Sequence, residues 1–171
     1  KAIDGTADSV SVEVGGITAA HTISVNDGGT GTIEKLNINS SASNTGAITL
    51  ADDATAATTV NVTGAGNITL NADQTSGTID ASAATGNVDV TFGTLATART
   101  ITGGTGDDRF TEQSAGDLVT LTTISGGDGT DTLELLLATG TALTTGASGN
   151  VTNVTGIETL LLASTQPTDA D

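Results

Sequence analysis

The sequence predicts an all-β fold in which short parallel strands wind into a solenoid, and three observations lead there. First, the candidate inward positions Leu50, Val62, Leu70, Ile79, Val90 and Ile101 recur about every ten positions, the rhythm of short strands joined by turns. Two strands at that spacing make a coil of about 20 residues, within the range of solenoid repeats. Second, the 171 residues include 36 threonines and 23 glycines but only two aromatics, Phe92 and Phe110, and no Met. Such a chain builds a narrow core of Val, Ile, Leu and Ala behind Thr-rich outer faces. Third, Thr, Val, Gly and Asn are weak helix formers and no 3.6-residue stripe persists. The competing fold is an antiparallel β-sandwich, which also spaces its strands regularly. It needs a core about 10 Å thick, usually filled by larger side chains.

In chain order, Asp8–Val14 alternates apolar and polar residues as a half-buried strand does, and Gly15-Gly16 ends it. His21–Val25 is a second strand, turned by Asn26-Asp27-Gly28-Gly29. Ile33–Ile38 is a third. From 40 to 102 short strands alternate with Gly, Ala, Ser, Asn and Asp. Ser164–Asp171, with Pro167, reads as a linker or tail. The expected organisation is one module over 1–171: Thr-rich coils over 1–100, glycine–aspartate coils over 101–163, and the tail 164–171. A chain that opens at Lys1 and holds no Met reads as an excerpt of a longer protein.

The sharpest signal lies in 101–137, where one phrase occurs twice. Gly103-Gly104-Thr105-Gly106-Asp107-Asp108-Arg109-Phe110 and Gly126-Gly127-Asp128-Gly129-Thr130-Asp131-Thr132-Leu133 both read G-G-x-G-x-D-x-apolar. The glycines permit φ > 0 and leave carbonyls uncrowded, and the Asp adds a hard anionic oxygen. Ca²⁺ takes several such oxygens, so this turn suits it. The phrases start at 103 and at 126, rather than in tandem nines. Whether they share an ion or cap separate coils stays open at this point. Asp27–Thr32 imitates the phrase but carries Ile33 where the acid belongs, a degenerate turn.

These residues resemble the repeats-in-toxin (RTX) family of secreted bacterial proteins, and their context resembles bacterial surface-layer proteins. Surface-layer proteins of this kind follow G-G-x-G-x-D-x-L with G-[IF]-E-T-L, and Gly156-Ile157-Glu158-Thr159-Leu160 has that form. The resemblance implies a right-handed parallel β-helix or β-roll. It also implies Ca²⁺ held between neighbouring turns by Asp carboxylates and turn carbonyls. The candidate metal residues are Gly103, Gly104, Thr105, Asp107, Asp108, Gly126, Asp128 and Asp131. Of these, Asp108 and Asp131 occupy the acid position; Asp107 either ligates or faces water, and Asp128 is an extra oxygen donor. Asp4 and Asp8 would form a weaker site. Residues 101–163 would then be the calcium-binding coils of a protein exported in one step and folding outside the cell. The expected partners are copies of itself or neighbouring parent domains, with cell-surface polysaccharide as a further candidate. The alternative is a non-catalytic module of a larger secreted adhesin, toxin or enzyme.

A longer repeat joins the two ends. Asp8 precedes a strand and Ile33-Glu34-Lys35-Leu36 follows; Asp131 precedes a strand and Ile157-Glu158-Thr159-Leu160 follows. The steps from Asp to Glu, 8 to 34 and 131 to 158, differ by a single position.

Charge and composition narrow the function further. Twenty acids against Lys1, Lys35, Arg99 and Arg109 give a formal charge of −16. That field repels nucleic acid and anionic lipid and attracts divalent cations. There is no cysteine, hence no disulfide framework, and no run of about 18 apolar residues for membrane insertion. The single histidine, His21, lies in an alternating strand without a partner for catalysis, and no G-x-S-x-G elbow occurs. Arg109 follows the Asp of a glycine turn and reads as a surface residue, and Asp52-Asp53 as a solvated loop. A non-enzymatic role is expected.

Overall fold

A computed structural model describes residues 8–24, 34–51, 59–72, 77–92, 99–113, 122–137 and 153–164. They contain β1 (Ser9–Val14), β2 (His21–Ser24), β3 (Lys35–Ser40), β4 (Ile48–Ala51), β5 (Thr59–Gly64), β6 (Ile68–Asn71) and β7 (Gly77–Ala84). Then follow β8 (Val88–Phe92), β9 (Arg99–Thr102), β10 (Arg109–Glu112), β11 (Thr122–Ser125), β12 (Thr132–Leu137), β13 (Val154–Thr155) and β14 (Thr159–Ser164). No helix occurs among the described residues.

The odd strands form one seven-stranded sheet, β1-β3-β5-β7-β9-β11-β13, and the even strands another, β14-β12-β10-β8-β6-β4-β2. All pairings within them are parallel. Consecutive strands therefore never pair; the chain crosses to the other sheet and returns, two strands to a coil. The fold is a parallel β-solenoid, and the antiparallel sandwich is excluded because its hairpins would join consecutive strands. Coil length varies: the shortest step between paired strands takes Val60 to Ile79, and the longest takes Ile124 to Val154.

Alternation makes these sheets two-faced. Val, Ile and Leu fall on one side of each strand and stack on their counterparts in the next coil, while Thr, Asn, Ser and Asp face out. The six expected inward positions, Leu50, Val62, Leu70, Ile79, Val90 and Ile101, are all buried. One even-sheet column runs Ile48, Leu70, Val90, Phe110, Leu133 and Leu160. Each fully buried aliphatic contributes about 1.5–3 kcal/mol of transfer free energy. Phe92 and Phe110, the only aromatics, are both in this core. So are two charged residues that the sequence did not place there. Glu112 is buried between Phe92 and Leu135 in register. Buried Arg99 sets its guanidinium 5.3 Å from the Phe92 ring centroid and donates from Nη2 to the Ala72 carbonyl at 3.3 Å.

Outside the core, polar columns bond along the axis: Asn61 Nδ2 donates to Asn37 Oδ1 at 2.8 Å. One irregularity interrupts the odd sheet. Asn61 pairs with Asp80 but Thr63 with Ala83, so β7 carries one extra residue. Asp80 Oδ1 accepts the Ser82 N–H at 3.0 Å and holds that bulge.

Several expected boundaries shift. β2 is described to Ser24; Val25, the turn at 26–29, the degenerate phrase and Ile33 lie outside the described residues. Ser164 ends β14 rather than beginning a linker, because it pairs with Leu137 of β12. Asp4, Asp52, Asp53 and 165–171 are also outside the described residues.

The corner from each odd strand to the following even strand is the tightest place in the coil. Gly46, Gly66, Gly86, Gly106 and Gly129 recur there, coil after coil. At Gly86 a Cβ would lie 2.6 Å from the Ala65 oxygen and the Gly66 carbonyl group. Gly86→Ala is therefore expected to lower stability by about 1–3 kcal/mol, through overpacking against backbone. Gly16, at φ 69°, has nothing within 4 Å of its would-be Cβ, so Gly16→Ala costs only the left-handed strain of about 1 kcal/mol. Urea midpoints of the two variants would separate these costs.

Candidate metal centre

Both phrases occupy that corner, Gly103–Asp108 between β9 and β10 and Gly126–Asp131 between β11 and β12. They stack as consecutive coils. A Cβ on Gly127 would collide with the Gly104 oxygen, and one on Gly129 with the Gly106 oxygen. The interval between the phrases is thus one coil, and they lie against each other on adjacent coils. Their glycines serve different ends. Gly127 (φ 108°) and Gly129 (φ 122°) use the conformation that L side chains rarely adopt. The glycines of the first phrase have no positive φ; Gly103 and Gly104 are needed there because backbone of a neighbouring coil fills the space of a Cβ.

Corner N–H groups point along the axis without a strand partner, and a buried N–H must be satisfied. Backbone carbonyls of the preceding coil take some of them, as Ala84 O does for Thr105 N–H at 3.1 Å and Gly104 O for Asp128 N–H at 3.0 Å, and side chains of the same or the following coil take others. Asp108 accepts from Val88 N–H through Oδ1 at 2.8 Å and from Gly104 N–H through Oδ2 at 2.6 Å. Asp131 Oδ1 accepts from Asp108 N–H at 2.8 Å, and Glu158 Oε2 from Asp131 N–H at 2.8 Å. Asn44 Oδ1 does the same for Ile17 N–H at 2.9 Å. A second, outer ladder reaches forward. Asn67 Oδ1 accepts from Asn87 N–H at 3.0 Å, Asn87 Oδ1 from Asp107 N–H at 3.1 Å, and Asp107 Oδ1 from Thr130 N–H at 2.8 Å.

All eight expected residues meet at this corner, in two tiers. Gly103, Gly104, Asp108, Gly126 and Asp131 are buried; Thr105, Asp107 and Asp128 are exposed. Asp107 is exposed and Asp108 buried, and both lie in the turn before β10 rather than in a strand. Asp8 is elsewhere, at the start of β1 on the odd sheet, where its N–H donates to Glu34 Oε2 at 2.7 Å. The Asp–Glu repeat thus corresponds to one bond made twice, Asp8 to Glu34 and Asp131 to Glu158, each across a whole coil. Arg109 is on the surface, 2.7 Å from Glu134. His21 is exposed on β2. The sequence missed Glu158, Asn44, Asn67 and Asn87 as members of the corner; the recurring Gly-Asn-apolar triplets at 66–68 and 86–88 were the available signal.

Burying carboxylates here strains their ionisation. Burial pushes Asp108 up to about 6; the Val88 and Gly104 N–H bonds oppose it, and the charges of Asp131 and Asp89 add to it. Asp131 is raised chiefly by burial, against the Asp108 N–H bond and with help from Glu158, Asp107 and Asp128. Burial also raises Asp89, with Arg109 pulling the other way.

One atom stands out. Asp131 Oδ2 is buried and has no hydrogen-bond partner among the described residues. It lies beside Gly126, where a Cβ would collide with it and with the Gly156 carbonyl oxygen. A buried carboxylate oxygen without a donor, next to the Gly156 carbonyl, is a donor pair that fits a hard divalent cation. No group of three His, Cys, Asp or Glu converges among the described residues, so carbonyls or water would complete any such shell.

A folded-state pKa raised above its unfolded value means that the folded chain holds the proton more tightly. Asp108 therefore stabilises most below about pH 4, and that contribution fades as pH rises through about 6. Metal-free chain is expected to lose up to about 3 kcal/mol from this group between pH 4 and 7, and Asp108→Asn to flatten the slope. Denaturation midpoints across that range, in chelator, check it.

No protein-family model, curated protein or solved structure matches the chain, and its functional reading rests on this corner.

Proposed function

We propose that the chain is a calcium-stabilised structural module of a bacterial surface layer, similar to RTX-type coils, secreted and folded outside the cell. The observation that carries this is the unpartnered, buried Asp131 Oδ2 at a glycine corner holding two carboxylates on adjacent coils. Asp108 and Asp131 would anchor the ion with carbonyls of Gly103, Gly104 and Gly126, and Thr105, Asp107 and Asp128 would supply oxygens from the exposed tier. A bound Ca²⁺ supplies positive charge that lets these carboxylates stay ionised where they are buried. Without it, a chain of net charge −16 resists compaction at neutral pH. Cytoplasmic calcium is too low to fill sites of extracellular type, whose Kd is about 10⁻⁴–10⁻³ M, so folding would wait for export. The polar outer faces offer area rather than chemistry, which suits a lattice component whose copies meet through calcium-bridged acids.

Calcium at a hundredfold excess over Kd is expected to stabilise the fold by about 2.7 kcal/mol per site, with strand signal gained over chelator in circular dichroism. Titration calorimetry should show Asp131→Asn and Asp108→Asn each weakening Ca²⁺ binding about tenfold or more, as loss of a charged ligand does, and Asp52→Asn leaving it nearly unchanged. Identical melting curves with chelator and with excess calcium would reject the proposal.

A further inference from the structure

The two glycine corners share their main bonds and differ at one oxygen. In each, the first glycine donates to the coil that follows, Gly103 N–H to the Ser125 carbonyl at 2.8 Å and Gly126 N–H to the Thr155 carbonyl at 2.9 Å. In each, one carboxylate oxygen of the acid accepts an N–H of the preceding coil, from Val88 at Asp108 and from Asp108 at Asp131. The other oxygens differ. Asp108 Oδ2 accepts the Gly104 N–H at 2.6 Å, but the equivalent bond from Gly127 to Asp131 Oδ2 is not made, although Asp131 is 0% exposed. Gly127 has φ 108°, whereas Gly104 has no positive φ. A Cβ on Gly103 would meet both Asp108 Oδ2 and the Gly126 carbonyl oxygen, and one on Gly126 would meet both Asp131 Oδ2 and the Gly156 carbonyl oxygen. Both corners thus bring a carboxylate oxygen close to a carbonyl of the next coil, and only at the first does an N–H satisfy it.

The next coil brings a further carboxylate to the second corner. Arg109, Thr132 and Thr159 are paired in register, so the residues before them, Asp108, Asp131 and Glu158, form one column on successive coils. Glu158 Oε2 accepts the Asp131 N–H at 2.8 Å, repeating the bond that Asp131 Oδ1 makes to Asp108. Like charges at this range repel, and a buried oxygen without a donor is costly unless a cation meets it. We propose that a Ca²⁺ sits at the second corner, bound by Asp131 Oδ2 together with the Gly156 carbonyl and the Glu158 carboxylate. This rests on the calcium reading above and adds two ligands to it, both from outside the repeated phrase. The first corner holds no equivalent ion beside Gly103, because the Gly104 N–H already brings its positive end to that Asp108 oxygen. The ion also fastens a coil held by little else. β13 is the shortest strand among the described residues and pairs with β11 at Val154 and Thr155 alone. Tying Gly156 and Glu158 to Asp131 closes a loop of a whole coil next to that weak pairing.

Glu158→Gln keeps an acceptor for the Asp131 N–H and removes only the charge. Calorimetry on the whole chain is expected to show Ca²⁺ bound about tenfold or more weakly by this variant, as loss of a charged ligand does. Glu13→Gln, the same change at an exposed position of β1, should bind as the parent chain does. At a calcium level that fills the parent but not Glu158→Gln, amide exchange at Thr155 and Thr159 should be faster in the variant. The parent chain alone gives a second test. Mn²⁺ takes the same oxygen ligands, so trace Mn²⁺ added to the calcium-loaded protein should broaden the amide resonances of Gly126, Gly156 and Glu158 before those of Gly86 and Asn87. Broadening centred on Gly86 and Asn87, Glu158→Gln binding calcium as tightly as the parent, or equal exchange in the two chains would overturn the inference and leave the calcium reading standing. A parent chain that binds no Ca²⁺ removes both.

Discussion

The structure depends on satisfying the backbone N–H groups that point along the solenoid axis at the glycine corner. Within each sheet the ladder takes care of itself, because a parallel neighbour lies on either side. At a corner the chain turns away from both sheets, and its amides are met partly by carbonyls of adjoining coils and partly by side chains. A short side chain with an acceptor oxygen, set beside glycine so that backbones can approach closely, answers that need. The inner and outer ladders run in opposite directions along the axis, so each coil both gives and receives.

The ladder changes chemistry along its length. In the inner ladder the acceptor near the start is an amide, Asn44, which is neutral and can be buried without altering the field, and further along it is Asp108, Asp131 and Glu158, which bring charge into close quarters. The outer ladder changes likewise, from Asn67 and Asn87 to Asp107. An amide and a carboxylate therefore do one structural task with different electrostatic consequences. The first part of the stack is complete on its own, and the later part gathers negative charge that its own N–H groups only partly offset. The elevated ionisation of Asp108 is the local expression of that imbalance.

Much of this was legible beforehand because it is local. Alternation located the inward positions, and the doubled glycine phrase located the corner and its two principal acids. What stayed hidden depends on register at a distance of one coil. That the step from Gly103 to Gly126 makes one turn, and that Asn87 stands where Asp107 stands in the next coil, follow from which strands pair, and no local pattern reports it. Asparagine beside glycine is also what any turn contains, so only the recurrence of the Gly-Asn-apolar triplet set those residues apart. The interval between Asp and Glu was visible at both ends of the chain; that both intervals close the same N–H bond was not. Arg99 and Glu112 escaped for another reason: composition argued for a purely apolar interior, and a column capped by a cation over an aromatic ring departs from it.

The two Asp-to-Glu units lie on opposite sheets, since Asp8 leads into β1 of the odd sheet and Asp131 into β12 of the even one. The stretch between them therefore holds whole coils plus one extra strand. This sets the grammar by which such a chain can change length. Gain or loss of a complete coil adds or removes one rung from each sheet and leaves both ladders in phase. Gain or loss of a single strand exchanges the faces of everything downstream, moving the acidic corner to the other edge of the solenoid while keeping its core intact. A protein built this way can relocate its charged edge by half a turn, at the cost of the bonds that tie the first moved corner to the coil before it.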